Sequence, residues 1–82
     1  MDHIAKFLAR IPKKHRLQLL EALEYLIDPY ERTRLQPKKI VGSRGLFRIR
    51  VGKYRIIFHT DVQNRAIVDD IRIRNESTYD DV

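Results

Sequence analysis

Apolar residues recur along the first third of the chain with the period of a helix. Ile4, Phe7, Leu8 and Ile11 stand at i, i+3, i+4 and i+7, the spacing that lays one apolar stripe on a helix. A helix is predicted over residues 2–11, with Asp2 placed to cap its start. Pro12 stops or kinks it, or opens the next helix at its first turn, where a missing N–H costs nothing. From Lys13 to Asp28 the apolar positions are Leu17, Leu19, Leu20, Leu23, Leu26 and Ile27, with Glu21 and Glu24 on the polar side. This predicts a second helix, ended by Asp28-Pro29. The two helices read as a hairpin with one joint apolar face, which is core.

At Leu46 the period changes to two. Leu46 to His59 reads as two strands joined at Gly52-Lys53, and Gly at the first central position suits a type II′ turn. That turn sets Val51 opposite Tyr54, Arg50 opposite Arg55, Ile49 opposite Ile56, Arg48 opposite Ile57 and Phe47 opposite Phe58. Alternation then gathers Phe47, Ile49, Val51, Tyr54, Ile56 and Phe58 on an apolar face, and Leu46, Arg48, Arg50, Arg55, Ile57 and His59 on the other. After a polar turn at residues 60–64, Arg65 to Arg74 reads as a third strand. There Ile67, Asp69, Ile71 and Ile73 share one parity, and Val68, Asp70, Arg72 and Arg74 the other. Residues 30–45 have few apolar anchors and read as a connector, mobile at its middle. The order predicts an α+β domain spanning residues 1–82. An N-terminal helical hairpin packs on a small antiparallel sheet of about three strands, whose other face stays open to solvent.

Charge gives that open face a meaning. The formal net charge is +6. The stretch from Lys38 to Arg55 holds Lys38, Lys39, Arg44, Arg48, Arg50, Lys53 and Arg55, and no Asp or Glu. Arginines directly opposite each other on a sheet repel, so the fold alone gives no reason for Arg50 to face Arg55. A polyanion lying across the sheet would. The plainer reading is a solvated face that keeps the protein soluble. No apolar run approaches the length of a membrane span and no signal peptide is visible, so the expected location is cytoplasmic. There are no cysteines, and His3, His15 and His59 are too scattered for a metal site; no cofactor or metal is expected. His3 and His15 read as surface groups, and a lone histidine such as His59 is more often incidental than catalytic. What remains is phosphodiester chemistry driven by positive charge. RNA is cut when its own 2′-hydroxyl attacks the adjacent phosphate, given a proton acceptor, a proton donor and stabilisation of the phosphorane. Arginine suits the last task, because the planar guanidinium binds two phosphate oxygens. It does not suit the first, because it stays protonated.

The stretch from Leu46 to Phe58 resembles the central hairpin of the RelE/ParE superfamily of toxins from toxin–antitoxin systems. Phe7 to Arg16 resembles the family's helical hairpin, and Ile71 to Arg74 with Tyr79 its last strand and C-terminal tyrosine. The resemblance implies a RelE-like fold without the strand with which the family usually begins. It also implies a toxin of RelE type: an endoribonuclease that cuts ribosome-bound mRNA, leaves a 2′,3′-cyclic phosphate, inhibits translation and is neutralised by a cognate antitoxin. By position, Arg48, Arg50, Arg55, Arg74 and Tyr79 are the implied catalytic residues. Arg55 and Arg74 would clamp the phosphate, Arg48 and Arg50 would hold the backbone and help protonate the leaving oxygen, and Tyr79 would stack on the base or assist the 2′-hydroxyl. Lys38, Lys39, Arg44, Lys53, Arg72 and His59 are the expected RNA contacts. Some relatives carry lysines in acid–base roles where this chain has arginines, which moves the base role toward another group such as His59. The implied partners are the antitoxin, mRNA and the ribosome. The alternatives are a ParE-type toxin that blocks DNA gyrase and cuts nothing, and a non-catalytic relative that binds RNA or antitoxin.

Overall fold

In the computed structural model, which describes residues 3–74, the helices are α1 (His3–Arg10), α2 (Lys13–Ile27) and α3 (Pro29–Arg32), followed by a 3₁₀ turn (Thr33–Leu35). The strands are β1 (Lys38–Lys39), β2 (Phe47–Val51), β3 (Tyr54–Thr60) and β4 (Ala66–Ile73). They form one antiparallel sheet in the order β1-β2-β3-β4, with the N-terminal helices packed on one face. The proposed cap at Asp2 lies outside the described residues.

Pro12 ends α1 and caps α2, its carbonyl accepting the Arg16 N–H at 2.9 Å. The Arg16 side chain turns back across this elbow and donates to the carbonyls of Leu8 and Ile11 at 2.8 and 3.0 Å, which satisfies acceptors that a helix end leaves open. Asp28 plays a double part: α2 stops before it, and its carboxylate accepts from the Tyr30 N–H at 2.9 Å to cap α3, with Pro29 at the first helical position.

The core is built from Leu19, Ala22 and Leu26 on α2, from Ile11, and from Ile49, Val51, Tyr54, Ile56, Phe58 and Ile71 on the sheet. Ile4, Phe7 and Leu8 pack against it from α1, as their spacing predicts. The reading of α2 needs a correction. Leu17, Leu20 and Ile27 are exposed, at 56, 41 and 73%. A turn of 3.6 residues puts positions 17 and 19 on opposite sides of a helix, and the core takes the Leu19–Ala22–Leu26 stripe, with Leu23 packed against it. His15 is likewise not a free surface group. Its Nδ1 lies 2.7 Å from the hydroxyl of Tyr54, whose ring is buried and whose oxygen needs a partner there.

The hairpin register is the predicted one at every pair from Phe47↔Phe58 to Val51↔Tyr54. Gly52 has a φ of +58° and Lys53 does not enter the left-handed region, as a type II′ turn requires. A side chain at Gly52 would also press on the Gln18 amide, 3.1 Å from where a Cβ would sit.

Two expectations change. The connector is not featureless: α3, the 3₁₀ turn and β1 occupy it, and β1 pairs Lys38 with Arg48 and Lys39 with Phe47. The sheet therefore has four strands, one of them very short. The buried Arg32 anchors this region, donating to the Leu26 carbonyl at 2.9 Å and to the carbonyl and side-chain oxygen of Asn64 at 3.1 and 3.3 Å.

The second change is in β4. Its register slips between Ile57 and Phe58: Ile57 pairs with Asp70 but Phe58 pairs with Val68, leaving Asp69 as the extra residue of a β-bulge. Beyond the bulge the parity inverts. Val68 joins Phe58 beside the core, and Ile67 pairs with His59 on the open side, 42% exposed. The predicted grouping of Ile67 with Ile71 is thereby overturned. In the turn before β4, the Asp61 carboxylate accepts from the Arg65 and Gln63 N–H groups and from the Arg65 side chain. These bonds, the Arg65 amide foremost, hold its carboxyl below the usual carboxylate range.

Candidate nucleic-acid interface

The register builds two rows of charge across the open face. One runs Arg50–Arg55–Arg72 over β2, β3 and β4; the next runs Lys38–Arg48–Ile57–Asp70 over all four strands. Directly opposed side chains have Cβ atoms only about 5 Å apart. Lys38 against Arg48, Arg50 against Arg55 and Arg55 against Arg72 are thus three cross-strand pairs of like charge.

These cations differ in what they already hold. Arg72 donates its Nε–H to Asp70 at 2.6 Å. Arg74 donates a terminal nitrogen to the Gly52 carbonyl at 3.0 Å, and its amide continues the ladder to Lys53. Among the described residues, no carboxylate or hydrogen-bond acceptor engages the side chains of Lys38, Arg48, Arg50 or Arg55. Arg55 is the extreme case: its Nε–H is buried with no acceptor among the described residues. An unmet buried donor costs roughly 1–3 kcal/mol, and here it sits between two further guanidinium groups. Beside this block, Lys38, Arg48 and Arg50 line a cleft of about 370 Å³ together with Leu35 and Gln36.

The structure thus brings together Lys38, Arg48, Arg50, Arg55 and Arg72, with Arg74 at the hairpin end. It separates the others. Lys39 pairs with Phe47 and has the opposite parity, while Arg44 and Lys53 lie in the turns at the two ends of β2. Tyr79 lies outside the described residues. At the far end of the face the bulge presents Asp69 to His59, with the imidazole Nδ1 2.8 Å from a carboxylate oxygen. Sequence reading missed Asp69, Asp70, Leu35 and Gln36. A signal existed for the aspartates, since two adjacent carboxylates interrupt an otherwise alternating strand. The described residues contain no group of three or more His, Asp or Glu side chains able to hold a metal ion. No described helix is long and apolar enough to cross a membrane.

A helical hairpin lies on one face of an antiparallel sheet, with arginines ranked on the other, an α+β arrangement consistent with the RelE/ParE superfamily of type II toxins. The chain belongs to the family described as the ParE toxin of the type II toxin–antitoxin system parDE, whose model matches residues 1–78. The family implies an antitoxin as partner. No curated protein and no solved structure matches the chain.

Proposed function

We propose that this toxin is of RelE type: a metal-independent endoribonuclease that cuts mRNA on the ribosome by driving the 2′-hydroxyl onto the adjacent phosphate. One observation carries the reading. Among the described residues, Lys38, Arg48, Arg50 and Arg55 form a contiguous block of cations without partners, around a buried guanidinium donor that meets no acceptor. A phosphate oxygen supplies what that block lacks. Bound there, the arginines screen the charge that builds on the phosphorane, and they do so with little rearrangement because cross-strand register already fixes their backbones. Arg72 and Arg74, engaged by Asp70 and Gly52, position the end of the face and would have to exchange those bonds to touch substrate. A tyrosine at position 79 is proposed to stack on the target base.

A second reading has its own support. The matching family is described by the ParE toxin, and both Arg74 of the implied catalytic set and Arg72 of the expected RNA contacts are already engaged. Under it, the cationic face binds gyrase or its DNA and cuts nothing.

A translation extract programmed with one defined mRNA and mapped by primer extension separates the two. Ribosome-dependent cuts are expected from the wild type, falling about a hundredfold or more in Arg55→Ala and in Arg50→Ala. The second variant guards against misfolding, because Arg50 is exposed. Intact mRNA, together with loss of supercoiling by gyrase, establishes the ParE-type activity instead.

A further inference from the structure

The arginine block leaves the reaction without a base, since guanidinium does not accept a proton at ordinary pH. The bulge in β4 supplies a candidate. A carboxylate accepts hydrogen bonds and donates none, so the proton in the 2.8 Å contact between His59 Nδ1 and Asp69 Oδ2 belongs to Nδ1. In the neutral ring this leaves Nε2 bearing a lone pair, and Nε2 has no partner among the described residues. Both side chains are partly open to solvent, at 38 and 36%. His59 shares the open face with the cations. Arg48 stands opposite Ile57, two residues before His59, which makes Arg48 and His59 diagonal neighbours about 7–8 Å apart. Asp70, the next carboxylate, is drawn the other way, to Arg72 and toward His3.

We infer that His59 is the general base of the cleavage and that Asp69 is its positioning residue; this rests on the RNA-cleaving reading above. The 2′-hydroxyl gives its proton to His59 Nε2 as its oxygen forms a bond to phosphorus. The bond from phosphorus to the 5′-oxygen breaks, and that oxygen takes a proton from solvent water. The products are a 2′,3′-cyclic phosphate and a 5′-hydroxyl, and the imidazolium returns its proton to solvent. Asp69 holds the ring in the tautomer with Nε2 free and stabilises the charge it gains. A regular strand has no residue to spare for this; the bulge adds one, and re-aiming a side chain beside a reactive site is a recurrent use of bulges.

The experiment measures single-turnover cleavage of a synthetic mRNA on the ribosome, with thermal melts of every variant. His59→Gln is expected to slow cleavage at least a hundredfold. Asp69→Asn, whose amide donates to Nδ1 and so drives the proton onto Nε2, is expected to slow it at least tenfold without lowering Tm, and Asp69→Glu to recover part of the loss. A second mRNA carries sulfur in place of the 5′-oxygen at the cut site, a leaving group that needs no proton. The His59→Gln deficit persists on it if His59 is the base. Disappearance of that deficit assigns His59 to leaving-group protonation and overturns the inference, as does unchanged cleavage of the ordinary mRNA by either variant. A wild type that makes no cut brings down the RNA-cleaving reading itself, an outcome visible before any variant is compared.

Discussion

Arg50 and Arg55 face each other across β2 and β3, and Arg55 faces Arg72 on its other side. The middle guanidinium is half-buried and its Nε–H has no acceptor among the described residues. The like charges in that row repel one another, and among the described residues only Arg72 meets a carboxylate. Removing one charge therefore stabilises the protein. Arg50→Thr puts a strand-favouring residue at an exposed site and is expected to gain about 0.5 kcal/mol. For a domain of this size that raises Tm by about 2–4 °C in a circular-dichroism melt. The same variant is expected to weaken binding of single-stranded RNA on the order of tenfold. A lower Tm would show that the row is not repulsive. Stability and ligand affinity are thus set against each other at a single side chain.

At the scale of elements, β4 is the informative strand. Deleting one of the adjacent aspartates, Asp69 or Asp70, leaves Val-Asp-Ile and a ladder with no extra residue. The expected result is a folded protein in which Val68 still opposes Phe58 and Ile71 still opposes Ile56, read as cross-strand proton contacts by NMR. A register slip that moves Val68 off Phe58 would refute the bulge. The same strand marks the limit of what sequence reveals. The hairpin was legible pair by pair, because Gly52 fixes the turn and six apolar residues leave one register that buries them. The end of α2 was legible in Asp28-Pro29. The bulge was not, because Asp-Asp fits either parity of a regular strand and the register shift comes from pairing with β3. Nor was β1, whose lysines carry no alternation and which is held through its backbone and by the Ile40 amide donating to Leu46. Leu17, Leu20 and Ile27 misled for the opposite reason: a leucine-rich helix offers several stripes, and only packing selects among them. The arginine row was legible out to Arg72 on β4; which cations are already engaged was not, because Arg72 meets Asp70 two residues away on its own strand and Arg74 reaches the Gly52 carbonyl across the sheet.

For the whole molecule, the free cations decide how it meets a polyanion. If Lys38, Arg48, Arg50 and Arg55 each neutralise one phosphate of a single strand, the logarithm of the binding constant falls against the logarithm of salt with a slope of about −3. Fluorescence anisotropy with a short RNA from low to physiological salt measures it, and a flat response would remove the face as a binding surface. The repulsion in the row has a further consequence, for the gene. Many single changes at positions 50 or 55 would ease the fold while weakening the face. A lineage that no longer used this toxin would meet no resistance in shedding those arginines, and drift alone would erase them early. Idle copies of such a gene should therefore betray themselves first in the middle of β2 and β3, while the turn at Gly52 and the buried stripe of α2, which folding itself protects, still read as intact.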